Sequence, residues 1–309
     1  MPSTPNPDAI VECVPNFSEG THPEIVTQIV AAMQVDEVRL LDWSLDPAHN
    51  RSVVTIAGPP AAVLESAVRG VGRASQLIDL TRQAGVHPRI GAADVVPFVP
   101  VSGFSLAQAA MLARQAGLEI WRRYGVPVYF YEAAATRPDR VKLEDVRRGQ
   151  FEGLRESAHR DAARRPDVGG PEVHPTAGAS AVGARQFLIA YNIYLDSGDI
   201  TAARAIARAI RAAGGGLHGV KALGVLVNGR AQVSMNITDF NATPMEQVYA
   251  AVQHLARNHG ASAAEGELIG LIPQAAYSPN AAWIGQIPNF DPDAKVLERK
   301  LHHPLAWPT

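Results

Sequence analysis

The sequence predicts an α+β protein built from two ferredoxin-like subdomains, each with a mostly antiparallel sheet. The first observation behind this prediction is the order of the periodic segments. Strand, helix, strand, strand, helix and strand follow one another over residues 10–101 and again over residues 186–272. The second is the dipeptide Asn228-Gly229 between the middle strands of the second set, which suits a two-residue hairpin turn because both residues tolerate positive φ. Two such units in one chain are expected to enclose a cleft for a ligand.

Alternating and helical patterns define the elements of the first half. Apolar residues at helical spacing predict helices over residues 23–34, 60–80 and 105–124, the last beginning at the cap Ser105 and ending at Gly125. β-rich runs predict strands over residues 10–17, 38–45, 52–57, 95–101 and 126–131. Pro97 and Pro100 indicate an edge or a bulged position for the strand that contains them.

The second half repeats this order after a change in composition. We predict strands over residues 186–195, 220–227, 230–237 and 266–272 and helices over residues 200–212 and 244–258. The charged stretch over residues 137–165 is typical of a surface helix that leads into a linker.

The domain organisation follows from these patterns. We expect a disordered tail over residues 1–9, an N-terminal subdomain over 10–165, a junction loop over 166–183, a C-terminal subdomain over 184–275 and a C-terminal tail over 276–309. The junction consists almost entirely of Pro, Gly, Ala, Thr and Ser. Its backbone N–H groups would face a ligand, although a flexible linker would explain the same composition.

Composition excludes several classes of function. The chain has 309 residues, of which 47% are hydrophobic, and a formal net charge of -2, so it lacks the basic excess of a nucleic-acid binder. Its single Cys13 excludes an internal disulfide and fits a reducing, cytoplasmic compartment. No apolar run is long enough for a membrane helix, and the polar residues at the N-terminus lead us to expect no signal peptide there.

Two polar clusters are candidates for the functional site. The stretch from Gly85 to Asp94 holds His87 between glycines, and an imidazole is the side chain best suited to general acid–base catalysis at neutral pH. An ordinary connection from a helix to a strand would have the same glycine and proline residues. The second cluster is His49-Asn50-Arg51, for which a solvated turn is the alternative. Asn16, Ser18 and Glu19 follow the first strand and are placed to line a pocket.

The absence of several known motifs limits the reactions that the protein could catalyse. The sequence contains no HExxH, paired CxxC or HxH, and hence no motif for a tightly held metal. It contains neither a phosphate-binding P-loop nor a serine nucleophile elbow. What remains is acid–base chemistry on an organic substrate, with His87 as the proton carrier and Arg51, Arg89 and Arg185 available for carboxylates.

Several of these phrases, in this order, resemble glutamate formimidoyltransferase, both the stand-alone bacterial enzymes and the N-terminal domain of formimidoyltransferase-cyclodeaminase. The phrases are residues 11–20 (VECVPNFSEG), 49–53 (HNRSV), 77–79 (LID), 87–92 (HPRIGA), 95–101, 126–129 (VPVY) and 183–192 (GARQFLIAYN). The resemblance covers residues 10 to 275, and several long motifs in the right order are far more specific than any one of them.

The resemblance implies a homodimer of chains with two α/β subdomains and a folate tunnel between these subdomains. It implies transfer of a formimidoyl group between N5 of tetrahydrofolate, the co-substrate, and the amine of L-glutamate, a step of histidine degradation and one-carbon metabolism. The family's catalytic histidine falls on His87 and its folate-binding loop on residues 169–178. The predicted substrate-binding residues are therefore Asn16, Ser18, His49, Asn50, Arg51, Arg89, Asp94, Gly169, Gly170, Pro171, His174, Thr176, Gly178 and Arg185.

Two departures from the family pattern leave the partner of His87 open. Many relatives have Glu where this chain has Val86, and some have Asp where it has Ser44. If a carboxylate orients the imidazole, that role falls on Asp42, Asp46, Asp94 or no residue. Two other functions also stay open at this point: transfer from 5-formyltetrahydrofolate instead, and folate binding without catalysis.

Overall fold

The computed structural model describes residue 6 and residues 8–47, 49–83 and 88–308. These form two compact units, the first made of Met1–Arg185 with Pro304–Thr309 and the second of Gln186–His303. Each has its own sheet and its own buried apolar core. The prediction of a mixed α+β protein with mostly antiparallel sheets is confirmed.

The first unit contains strands β1 to β7 and helices α1 to α5. The strands are β1 (Ile10–Cys13), β2 (Asn16–Phe17), β3 (Arg39–Asp46), β4 (Arg51–Gly58), β5 (Ala93–Ser102), β6 (Val128–Glu132) and β7 (Ser180–Ala184). The helices are α1 (Pro23–Ala32), α2 (Pro60–Leu77), α3 (Leu106–Tyr124), α4 (Leu143–Val146) and α5 (Gln150–Ser157), with short 3-10 turns at Pro138–Arg140 and Ala162–Arg164.

One sheet joins these strands. β4 pairs with β3 on one side and with β1 and β2 on the other, and β1 and β2 in turn pair with β5, all antiparallel. Beyond β5 the sheet continues with β7 and then β6, both in parallel pairs. Helix α3 begins with the predicted cap, since Ser105 and Gln108 form a reciprocal capping box, and ends at Gly125 with φ 64°.

The prolines of strand β5 indicate an edge position or a bulge, and the structure shows the second. β5 lies inside the sheet, between β1 and β2 on one side and β7 on the other, and not at an edge. The alternative, a bulge, does occur, because the register opposite β1 shifts at Pro100–Ser102. Pro97 lacks an N–H, but its carbonyl still accepts a hydrogen bond from Val14 N at 3.3 Å.

Two segments of the first unit differ from the sequence prediction. Residues 137–165 do not form one surface helix, because Gly149 (φ 83°) separates α4 from α5, and both Phe151 and Leu154 are buried. Strand β7 lies partly within the expected junction loop. Its small residues give no apolar alternation, but they allow close packing, since a Cβ on Gly183 would lie 2.5 Å from the Tyr131 ring.

The second unit follows the predicted order closely. Its strands are β8 (Ile189–Leu195), β9 (Val220–Val227), β10 (Arg230–Ile237) and β11 (Ala263–Ile269), and its helices are α6 (Ile200–Ile210), α7 (Met245–Asn258), α8 (Pro292–Lys295) and α9 (Leu297–Lys300). Short 3-10 turns lie at Ala212–Gly214, Gln274–Ala276 and Ile284–Gln286. The antiparallel sheet has the order β11-β8-β10-β9. Asn228 (φ 50°) and Gly229 (φ 78°) form the predicted hairpin turn.

The C-terminal stretch that the sequence suggests as a separate tail is divided between the two units. Trp283 and Val296 are fully buried in the core of the second unit, which extends to His303. Leu305 forms an isolated bridge to Leu40 in the first unit. Within the described ranges, no helix has both the length and the apolar composition needed to cross a bilayer.

Candidate active site

His87, the predicted catalytic residue, lies outside the described residues, as do Ala84, Gly85 and Val86. The positions on either side of this segment are described. Arg89 is 8% exposed, and its Nη2 donates to the carbonyls of Gln83 at 2.8 Å and Leu80 at 3.3 Å. The same nitrogen lies 3.1 Å from Glu152 Oε1. Arg89 therefore holds the two ends of the segment that carries His87, and its role as a ligand for a substrate carboxylate stays a prediction.

Glu19 connects the loop after β2 to the start of the same segment. Its buried carboxylate accepts hydrogen bonds from the backbone N–H of Thr21 at 2.7 Å and of His22 at 3.0 Å. It also accepts one from Gln83 Nε2 at 3.0 Å, across 64 positions of sequence. Burial by itself raises the pKa of Glu19, but the hydrogen bonds from Thr21 and His22 outweigh burial and bring the pKa below its usual value. Glu19 therefore stays ionised.

Ser18 and Asp94 hold the strand entry that follows His87. Ser18 is buried, and its Oγ donates to the Gly91 carbonyl at 2.7 Å while its N–H donates to Ala92 O at 2.9 Å. Asp94 Oδ1 accepts from Ile90 N at 2.7 Å. Both predicted site residues thus contact the backbone of residues 90–92, only a few positions beyond His87.

The residues of the predicted His49-Asn50-Arg51 cluster lie at the turn between β3 and β4 and have different surroundings. His49 is exposed, with its Nδ1 2.6 Å from Asp46 Oδ2. Asn50 has φ 48°, and its Oδ1 accepts from Gly20 N at 2.9 Å. A Cβ on Gly20 would lie 2.5 Å from the backbone nitrogen of Arg51, so only glycine permits this close approach. The loop after β2 is thereby fixed against the start of β4.

The Asp94 carboxylate pairs with Arg147 and acts electrostatically on Arg51. Asp94 Oδ2 forms an ion pair with Arg147, whose side chain is 15% exposed. Among the described residues, the buried Nε of Arg147 has no hydrogen-bond partner. Burial lowers the pKa of Arg51, and the charge of Arg147 lowers it further, whereas Asp94 and Asp46 raise it. The lowered pKa of Arg51 thus reflects burial first and the charge of Arg147 second.

The predicted folate loop is a tight structure with left-handed glycines. Gly169, Gly170 and Gly178 have φ values of 77°, 87° and 68°, and the Gly170–Pro171 peptide is cis. The backbones of His174 and Gly178 exchange hydrogen bonds of 2.8 and 3.0 Å. Burial lowers the pKa of His174, whose Nδ1 accepts from Ala177 N at 3.0 Å. The imidazole is therefore neutral, with Nδ1 as its acceptor.

This loop packs along the strand entry after His87. Ala92 N donates to Ala177 O and Ala179 N donates to Ile90 O, both at 2.9 Å. On the other side of the His87 segment, Leu80 N donates to Thr176 O at 2.9 Å. A Cβ on Gly178 would lie 2.1 Å from Ile90 O, which excludes any other residue at this contact. The loop therefore contacts the chain on both sides of the segment that carries His87.

Asn16 and Arg185 lie further along the same sheet. Asn16 is half-buried in β2, and its Nδ2 donates to Val14 O at 2.8 Å. Arg185 follows β7, and its N–H donates to Phe98 O at 3.1 Å. Burial raises the pKa of Tyr131, and the Arg185 charge opposes that shift. Arg185 is therefore electrostatically coupled to a buried phenol.

Several residues of the cluster escape sequence reasoning. Arg147 and Glu152 lie in the charged stretch that predicts a surface helix, although the apolar Val146, Phe151 and Leu154 within that stretch are a sign that one side of it is buried. Gln83 carries no motif. Within the described ranges, the structure has no group of three or more His, Cys, Asp or Glu side chains that would hold a metal ion.

Comparisons with known proteins find similarity along almost the whole chain. The model of the formiminotransferase domain, N-terminal subdomain, matches residues 10–185, and the model of the formiminotransferase domain matches residues 190–297. A glutamate formimidoyltransferase of Streptococcus pyogenes serotype M1 is 42% identical over 94% of this chain and 98% of its own length. That of Thermoplasma acidophilum is 41% identical over 95% and 97%.

A bifunctional relative matches over part of its length. The formimidoyltransferase-cyclodeaminase of Rattus norvegicus is 39% identical over 89% of this chain, which corresponds to 52% of that protein. The two stand-alone relatives, in contrast, are covered almost completely. This chain belongs to the glutamate formimidoyltransferase family.

Proposed function

We propose that this protein transfers a formimidoyl group between 5-formimidoyltetrahydrofolate and L-glutamate, with His87 as the general acid and base. The observation that carries the proposal is the near full-length similarity to two proteins named glutamate formimidoyltransferase. The described contacts on both sides of His87 support it, because they would hold a loop with a catalytic side chain in one place.

The proposed reaction needs one proton acceptor and one proton donor. The glutamate amine must lose a proton to attack the amidine carbon, and N5 of the folate must gain a proton to leave. A single imidazole at His87 accepts the first proton and delivers the second. Because both substrates are bound together, proximity supplies much of the remaining rate enhancement.

Other elements of the family pattern belong to this proposal. Residues 169–178 would contact the folate through backbone N–H groups, and Arg51, Arg89 and Arg185 are the proposed ligands of substrate carboxylates. Ferredoxin-like subdomains, the folate tunnel, a homodimer and a cytoplasmic location are part of the same expectation. The strand order β11-β8-β10-β9 supports the first of these.

Substitution of His87 tests the catalytic role. We expect His87→Ala to lower kcat by about 10²–10⁴-fold, the usual contribution of a general acid–base residue, with little change in the affinity for folate. His254→Ala, at an exposed position of α7, is the matched control and should retain full activity. A kcat for His87→Ala within about tenfold of the wild type would overturn the role of His87.

The identity of the donor is tested with two folates. Initial rates with L-glutamate are compared for 5-formimidoyltetrahydrofolate and 5-formyltetrahydrofolate. Faster turnover of the formimidoyl compound is the expected result. Preference for the formyl compound would assign a formyltransferase, and folate binding without transfer from either donor would assign a binding protein.

A further inference from the structure

We propose that the outer edge of strand β9 binds an extended, acidic segment of a partner protein as an added strand. The surface consists of β9 (Val220–Val227) and the side of helix α6 (Ile200–Ile210) that lies over it. It belongs wholly to the second unit and includes none of the predicted site residues. The inference therefore goes beyond the proposed transfer reaction and does not depend on it.

β9 is an edge strand whose outer backbone groups are open to pairing. It ends the four-stranded sheet and pairs with β10 in an unbroken register. Val227 and Arg230 flank the two-residue turn as a hydrogen-bonded pair, and the hydrogen bonds then recur at every second residue. By this alternation Ala222, Gly224 and Leu226 direct their N–H and C=O groups away from β10. Within the described ranges, no strand lies beyond them.

The edge also lacks the features that usually prevent pairing with another chain. Protected edges are short, bulged, or interrupted by proline or charged side chains. β9 has eight residues, no proline and one charged residue, Lys221, near its start. Its Leu223 and Leu226 are 65% and 54% exposed, and they lie on opposite faces of the sheet. A strand paired with β9 would cover apolar side chains on both faces.

The side of α6 over this edge is basic. A Cβ on Gly224 would lie 2.3 Å from the backbone nitrogen of Arg204, so the helix packs directly over the strand. Arg204 and Arg208 are both exposed, and neither is in an ion pair among the residues that the structure describes. Residues 200–227 include four Lys or Arg and no Asp or Glu. The acidic residue just before this stretch, Asp199, is the N-cap of α6.

The spacing of the two arginines matches that of alternate residues in a strand. Four residues of an α-helix rise about 6 Å, and alternate residues of a strand are about 6.6 Å apart. α6 begins beside the turn that ends β9, since a Cβ on Gly198 would lie 2.9 Å from Gly229 O, so Arg208 lies one turn closer to the start of the strand than Arg204. A partner strand with an acidic residue at every second position would present its carboxylates to both arginines. Its intervening apolar residues would face the side of the sheet that carries Leu223.

A second copy of this chain fits the edge less well than an acidic segment does. Antiparallel pairing of two β9 strands would place both α6 helices on the same face of the joined sheet. Arg204 and Arg208 of each copy would then lie beside those of the other, and like charges repel. The same positive charge attracts an acidic segment, so charge decides between these two occupants.

Binding of designed peptides to the full-length chain tests the inference. The probe is a short fluorescein-labelled peptide of alternating Glu and Val, and fluorescence anisotropy measures its affinity. One control peptide has the same composition with all Glu residues first, which removes the alternation. Another has an N-methyl group on every residue, which keeps the charge and removes the N–H groups that would pair with β9.

The affinities separate strand addition from nonspecific attraction. We expect the alternating peptide to bind at least about tenfold more tightly than either control peptide, and Arg204→Gln combined with Arg208→Gln to weaken its binding by about tenfold or more. Arg257→Gln, at an exposed position of α7, is the matched control and should bind as the wild type does. Equal affinities for the three peptides, or for the double variant and the wild type, would overturn the inference.

Hydrogen exchange locates the bound peptide. Saturation with the alternating peptide should slow amide exchange over residues 220–227, where the outward N–H groups of Ala222, Gly224 and Leu226 gain acceptors. Leu226→Pro removes one of these N–H groups without a loss of hydrogen bonds to β10, and it should weaken binding. Unchanged exchange over β9 in the saturated wild type would overturn the inference, and this measurement decides alone if Leu226→Pro fails to fold.

Two other occupants of the edge give different results. Self-association through β9 would appear in sedimentation velocity as an oligomer that Leu226→Pro or the alternating peptide converts to a monomer. Binding to phosphatidylserine vesicles without affinity for the alternating peptide would assign the basic side of α6 to a membrane surface. Either result would overturn the inference.

Discussion

Two buried Arg–Asp pairs in the first unit look alike and differ in how completely they are satisfied. In the first, Arg140 and Asp167 are 5% and 6% exposed, with Nη1 and Oδ2 2.5 Å apart. The Arg140 guanidinium lies 5.1 Å from the centre of the Tyr129 ring, and it donates to the carbonyls of Ala163 and Arg165. Asp167 also accepts from Phe130 N and Thr136 Oγ1. Both charged groups are therefore surrounded by partners.

The second pair, Arg147 and Asp94, is coupled to an additional cation. Asp94 is as deeply buried as Asp167, but Arg51 and Arg147 both act on it, and Arg147 Nε has no partner among the described residues. The Arg147 side chain is also 15% exposed, whereas that of Arg140 is 5% exposed. The comparison therefore separates a fully enclosed ion pair from one that keeps some contact with water.

The largest expected effect is a loss of stability on breaking the fully enclosed pair. Asp167→Asn leaves Arg140 buried without a counter-charge and should lower the free energy of unfolding by about 3–5 kcal/mol. Asp94→Asn should lower it by less, because the 15% exposed Arg147 side chain stays partly hydrated and the asparagine oxygen can still accept from Ile90 N. Urea denaturation of both variants measures the difference. Equal losses in the free energy of unfolding would show that the two pairs contribute equally to stability and would contradict the comparison.

Local features of the fold are predictable from sequence, whereas these pairs are not. The Ser105 cap, the Gly125 stop and the Asn228-Gly229 turn follow from the preferences of neighbouring residues, and all three are confirmed. Strand β7 contains small residues, and its position depends on parallel pairing with distant strands. A local pattern cannot indicate such a pairing.

The candidate site shows the same division between local and distant information. The residues around His87 are marked by a motif, but Arg147 pairs with Asp94 across 53 positions and Gln83 bonds to Glu19 across 64. Nothing in the charged stretch of residues 137–165 distinguishes Arg140 and Arg147, which become buried, from Arg148, which stays exposed. Only the tertiary fold selects among these arginines.

An intermediate effect is expected at Glu19, a buried carboxylate that is held by backbone and side-chain hydrogen bonds. Glu19→Gln removes hydrogen bonds to a charged acceptor and should cost about 1–3 kcal/mol of stability at pH 7. Because the folded-state pKa lies below the unfolded one, near 4.3, the contribution of Glu19 is present above that pH and is lost as the pH falls through the folded pKa. Wild type and variant should therefore converge in acid, as measured by urea denaturation between pH 7 and pH 3.

The control for Glu19 is a carboxylate that makes no such network. Glu24→Gln removes the same charge at an exposed position of α1 and should change stability by less than about 0.5 kcal/mol. A loss for Glu19→Gln that is no larger than this would show that the hydrogen bonds to the Glu19 carboxylate contribute little to stability.

The smallest effect is expected at His174, a half-buried imidazole whose Nδ1 accepts a hydrogen bond. Burial lowers its pKa, so the folded protein binds fewer protons than the unfolded chain, and stability falls as the pH drops below the unfolded value near 6.5. The loss should be about 1 kcal/mol, the worth of the hydrogen bond from Ala177 N, because a protonated Nδ1 cannot accept it. His174→Asn keeps an acceptor that does not titrate, so its stability should change less between pH 7.5 and pH 5 than that of the wild type, with His254→Asn as the exposed control. The same pH dependence in all three proteins would show that protonation of His174 does not destabilise the fold.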